Sequence, residues 1–130
     1  GLSLLGCTPV PFSHYQSLRA AQSVASECQE RLHDGAPDFA ECVRFVAAPP
    51  PVSEVRPEWW ALGALHYGWL MEDVVSQTGL EGADAEARAL VREADALRTR
   101  LKVPDAALCP LIDIPCGMQQ KRRSERLAGR

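Results

Sequence analysis

The side chains best equipped for chemistry in this chain are its five cysteines, Cys7, Cys28, Cys42, Cys109 and Cys116. Thiols ligate metals, exchange electrons or cross-link the backbone, and spacing separates these uses. Structural zinc sites favour C-x₂₋₄-C pairs, whereas Cys28 and Cys42 lie fourteen residues apart and Cys109 and Cys116 seven. His14, His33 and His66 fall at no metal-ligand offset from them, so a zinc site is the weaker reading. Redox catalysis needs C-x-x-C or a thiolate-stabilising neighbourhood, and neither is present. Structural disulfides are the stronger reading, and no metal or other cofactor is expected.

Other catalytic sets are equally thin. Glu72 and Asp73 follow His66 by about two turns, but adjacent helical residues point about 100° apart, and no nucleophile accompanies them. The chain contains no G-x-S-x-G, S-x-x-K, H-E-x-x-H or glycine-rich phosphate loop. An enzyme is not expected.

Cys7 has its own context. Leu4-Leu5-Gly6-Cys7 resembles the lipobox of bacterial lipoprotein precursors, with Leu three positions before Cys and a small residue just before it. On that reading residues 1–6 are the remnant of a signal peptide, and Cys7 carries acyl chains. Residues 7–12, with Pro9 and Pro11, form an extended tether to a folded domain. Thr8 stands where an Asp would signal retention at the inner membrane, which favours the periplasmic face of the outer membrane. The bland alternative is an ordinary apolar start with a free thiol. The longest apolar run, Trp59 to Met71, includes His66 and two glycines and is too short to span a bilayer, so attachment would rest on Cys7 alone.

The elements that must position these residues read as helices. With 46% hydrophobic and 24% charged residues the composition is that of one globular domain, and nowhere do four residues alternate cleanly between apolar and polar. The expected fold is all-α: a disulfide-stapled helical hairpin plus further antiparallel helices in a small bundle spanning residues 13–117. Leu18, Ala21, Ala25, Cys28 and Leu32 step by 3 and 4 along one stripe of a first helix, Ser13 to Asp34. Gly35 stops it, and Pro37 opens a second helix to Ala48 whose stripe is Phe39, Cys42, Val43 and Val46. Cys28 and Cys42 are equidistant from Gly35, each about 10 Å along its helix from the turn, so they face one another across the hairpin. Removing Cys7 leaves four cysteines, for which three pairings exist. Cys109 with Cys116 is the natural second pair, closing a loop stiffened by Pro110 and Pro115.

A third helix, Pro57 to Gln77 or Thr78 with Gly79 as its stop, holds all three tryptophans, Trp59, Trp60 and Trp69, and leaves little polar face. Its own domain must surround it, with Gly63 and Gly68 admitting a neighbouring helix, or these tryptophans anchor a protein partner. Asp84 suits the cap of a fourth helix with the stripe Ala87, Leu90, Ala94, Leu97 and Leu101, closed by Val103-Pro104. Residues 118–130, five basic residues against one acidic on a chain of net charge −3, read as a basic C-terminal tail that can begin another charged helix at Met118. Such a tail suits lipid headgroups or an acidic protein, or is simply a solvated helix end or frayed tail; lacking aromatics to stack on bases, it is not expected to bind nucleic acid.

These features together resemble the QseG (YfhG) lipoproteins. The resemblance rests on Leu4-Leu5-Gly6-Cys7, on Glu27-Cys28 and Glu41-Cys42, and on the Trp59 helix leading to Ala87-Arg88-Ala89-Leu90-Val91, a sparse pattern over residues 4–101. The Cys109–Cys116 loop departs from that family, and the long C-terminal coiled coil usual there is absent or cut off after Arg130. The resemblance implies a non-enzymatic outer-membrane lipoprotein that touches the periplasmic sensor domain of a two-component histidine kinase, with Cys7 as its acylation site. The competing expectation is a structural or assembly lipoprotein of an envelope complex that docks through its basic tail.

Overall fold

A computed structural model describes residues 11–31, 39–79, 81–110 and 112–129. Among these residues the chain is all-helical, with α1 Phe12–Arg31, α2 Phe39–Ala47, α3 Pro57–Ser76, α4 Ala83–Leu101 and α5 Cys116–Leu127, and a 3₁₀ turn at Asp105–Leu108. Cys7, its tether up to Val10, and the Gly35-Pro37 turn lie outside the described residues.

Local chemistry explains most boundaries. Pro57 fixes φ at the first position of α3, where its missing N–H costs nothing, and Glu58 sits at the positive end of the helix dipole. Gly79, at φ +82°, takes the left-handed conformation just past the end of α3. Several boundaries differ from the sequence reading, among them the start of α1 at Phe12, a residue expected in the tether. Gly82 at φ +86°, not Asp84, is the N-cap of α4, which frees the Asp84 carboxylate for another contact. The charged C-terminal helix begins at Cys116, not Met118, because Pro115 is an extended N-cap and its carbonyl accepts from the backbone N–H groups of Met118 and Gln119.

Helix α3 is the axis on which α1, α2 and α4 pack. Its neighbours follow from cross-helix contacts. His14 and Trp59 meet edge to face at 5.1 Å, and a side chain at Gly63 would overlap the carbonyl of Leu18, so α1 runs beside α3 in the same direction. Trp60 Nε1 donates to the Val46 carbonyl at 2.6 Å while Gly68 meets Val43, so α2 runs the opposite way. Glu58 pairs with Arg100 near one end of α3, and Asp73 and Asp84 share Arg126 near the other, which makes α4 antiparallel too.

Leu18, Val43, Leu62, Trp69, Leu70, Leu90 and Val91 fill the centre, and Ala21, Ala25, Cys28, Ala64 and Tyr67 continue it between α1 and α3. The stripes read from spacing on α1 and α4 thus face the core, with Leu97 and Leu101 only partly buried against it and Leu32 lying outside the described residues. Gly63 and Gly68 have the role expected of them: a Cβ at Gly68 would sit 2.5 Å from Val43 Cγ1. Gln22, fully buried, donates from Nε2 to the Leu108 carbonyl at 3.3 Å, and Arg19 donates to that of Cys109, binding the 3₁₀ turn to α1.

Candidate functional site

The cysteines fall into the two pairs read from the sequence, one from helical offsets and one from a proline-stiffened loop. Cys28 near the end of α1 and Cys42 in the first turns of α2 are placed at disulfide distance, with Cα atoms 6.4 Å apart. Cys109 and Cys116 do the same across the Pro110–Pro115 loop, at a Cα separation of 5.4 Å. With those four of five cysteines paired, Cys7 stands outside both pairs.

The tryptophans do not form a surface. Trp69 is fully buried and Trp59 is 8% exposed, packed against His14 and Tyr15. Trp60 is half-buried with its indole N–H committed to α2. Their large apolar faces are spent on the intramolecular core, so Trp59 and Trp69 are not available as surface anchors, contrary to the partner-binding role considered for them. Among the described residues the most exposed large apolar side chains are Phe45 at 82% and Phe12 at 74%.

Neighbouring carboxylates on α3 have separate fates. Asp73, 3% exposed, is held by α5: Arg126 donates from Nε to Asp73 Oδ1 at 2.5 Å, from Nη2 to Ser76 Oγ at 2.6 Å, and from Nη1 to Asp84 on α4. Arg122 adds a contact to Asp73 Oδ2 at 3.5 Å, and Gln77 donates to the same oxygen at 3.2 Å. Desolvation disfavours the Arg126 charge, but its bonds to Asp84 and Asp73 outweigh that and raise its pKa. Asp84 moves down, chiefly through the hydrogen bond from Arg126. Glu72, 7% exposed, meets no such cation among the described residues; burial lifts its pKa, and the charge of Glu86 on α4 adds to the lift. Glu86 and Glu93 are instead paired with Arg44 of α2.

The basic segment is therefore a docked helix. Arg126 is buried against α3 and α4, and Arg123 lies 3.9 Å from Asp95 of α4. Sequence reasoning missed this clamp, although a carboxylate within the most apolar helix was the available signal: a buried Asp needs a cation, and the arginines at 122 and 126 are one helical turn apart.

His66 is buried on α3, its ring edge-to-face with Trp69 at 5.9 Å. Among the described residues no group of three or more His, Cys, Asp or Glu side chains is arranged to hold a metal ion, and no helix is long and apolar enough to cross a membrane. No protein-family model, no curated protein and no solved structure matches the chain.

Proposed function

We propose that this chain is a non-enzymatic lipoprotein of the bacterial outer membrane, acylated at Cys7, whose stapled helical domain binds and regulates an envelope protein on the periplasmic side. The observation that carries the reading is the cysteine arithmetic. Two pairs account for Cys28, Cys42, Cys109 and Cys116, and the fifth is the one that ends Leu4-Leu5-Gly6-Cys7. Paired cysteines suit an oxidising compartment, and an acylated cysteine gives the domain its address there. A sensor histidine kinase is the partner that the resemblance to QseG lipoproteins implies.

The alternative, an assembly subunit that docks by a free basic tail, is disfavoured because Arg122, Arg123 and Arg126 are turned to Asp73, Asp84 and Asp95 of the same chain. Phe45, exposed on α2 next to the charged Arg44, offers a better contact point for a protein than the buried tryptophans do.

Co-purification of the membrane-extracted protein with its envelope neighbours tests the reading. A specific partner retained by the wild type and lost with Phe45→Ser, at unchanged helicity, supports it. Retention of no envelope protein by the acylated wild type contradicts the regulatory role.

A further inference from the structure

Acyl chains on Cys7 would bring one particular end of the bundle to the lipid surface. That end is defined by the start of α1, the linker 48–56 and the start of α3, held together by the Arg56 backbone N–H donating to Ser17 Oγ at 2.9 Å and by the His14–Trp59 contact. Phe12, 74% exposed, is the first residue of α1, and Val52, 47% exposed, lies in the linker beside Pro50 and Pro51. These are two of the five large apolar side chains exposed among the described residues. The exposed Glu58–Arg100 pair shares this end, at the start of α3, while the Arg126 clamp and the glycines at positions 79, 82 and 129 lie at the opposite one.

Chain length makes the placement consequential. Five residue steps separate Cys7 from Phe12, so even a fully extended tether reaches only about 18 Å. Helix α1, with 20 residues, is itself about 30 Å long. The tether is shorter than the bundle, so Phe12 stays within about 18 Å of the anchor whatever the tilt of the domain.

We propose that the Phe12–Val52 end is a membrane-contact surface: both side chains enter the headgroup region of the leaflet that holds the Cys7 acyl chains, and the bundle stands on that end. The proposal rests on the lipid-anchor reading and adds an orientation to it. Side chains of this kind gain free energy when moved from water to the interface, and the anchor removes most of the cost of bringing them there. The protein domain then presents the outer faces of α2 and α4 to the periplasm.

The test uses the full acylated chain in phosphatidylethanolamine/phosphatidylglycerol bicelles that carry a gadolinium-chelating headgroup lipid. Intact mass establishes the acylation, and paramagnetic relaxation enhancement is read at backbone amides. Enhancement strongest at Ser13 and Ser53 and weakest at Gly79 and Gly129, falling several-fold at the first two in the F12S/V52S chain while its helicity is kept, is the expected result. Uniform enhancement on an acylated chain, or a maximum at Gly79 and Gly129, would overturn the orientation and leave the anchor standing. An unmodified Cys7 would overturn the anchor reading and this one with it.

Discussion

Arg126 of α5 and Asp73 of α3, separated by 53 residues of chain, meet through a 2.5 Å Nε–Oδ1 contact inside the protein. The same guanidinium reaches Asp84 of α4 and Ser76 of α3, so one side chain joins three helices. A carboxylate and a guanidinium taken out of water are stabilising only as long as both remain.

Arg126→Ala should therefore destabilise the domain by about 3–5 kcal/mol, since it strands the Asp73 charge. Arg126→Lys should recover only part of this, because an ammonium cannot match the planar fork of bonds. In urea unfolding, Asp73→Asn placed on top of Arg126→Ala should restore much of the loss. Independent, additive effects of the two substitutions would show that the pair is not coupled.

How much of this was legible beforehand depended on whether the interaction was periodic. Ala21, Ala25 and Cys28 on α1, and Ala87, Leu90 and Ala94 on α4, declare their buried faces by steps of 3 and 4. Equal offsets from Gly35 were enough to pair Cys28 with Cys42. The Arg126 clamp has no period, and it depends on α5 folding back beside α4, which the sequence states nowhere. The Trp59 helix was apolar all round, a pattern that a core and an interface share, and only packing assigned Trp59 and Trp69 to the core.

Glu72 and Asp84 should give opposite responses to pH. Burial raises Glu72 above its ordinary 4.5, so the folded protein holds that proton more tightly than the unfolded chain does. Stability falls as pH rises from the ordinary value through the raised one, and then levels off. Glu72→Gln should thus be the more stable protein near pH 7, with the difference closing below about pH 4. Asp84 is lowered from 3.8, chiefly by the Arg126 hydrogen bond; its contribution is present above that value and lost as pH falls through the depressed one. Thermal midpoints across the acid range check both; a Glu72→Gln protein less stable at neutral pH would show that the carboxylate has a cationic partner.

Gly63→Ala should cost about 1–3 kcal/mol or more, because the added methyl meets the Leu18 carbonyl of α1, which cannot move without shifting the helix. Gly117→Ala, where nothing lies within 4 Å of the added carbon, is the control and should be neutral or slightly stabilising. Calorimetry on the two variants distinguishes close helix approach from a general intolerance of helical glycines to replacement.

Replacing Cys28 and Cys42 together by Ser should lower stability by about 2–4 kcal/mol, the cost of releasing the α1–α2 hairpin from its cross-link. The helices should persist in far-UV dichroism, since the α3 core does not depend on the bond. An unchanged unfolding midpoint would mean that the thiols are not joined in the native protein.

The central claim, a disulfide-stapled domain hung from an acylated Cys7, is tested most directly by the intact mass of the full-length protein extracted from bacterial membranes, with denatured, unreduced thiols trapped by alkylation. The account predicts a chain that begins at Cys7, carries acyl mass there and takes up no alkylating reagent at Cys28, Cys42, Cys109 or Cys116. A bare Cys7, or alkylation of those four residues before reduction, would contradict it.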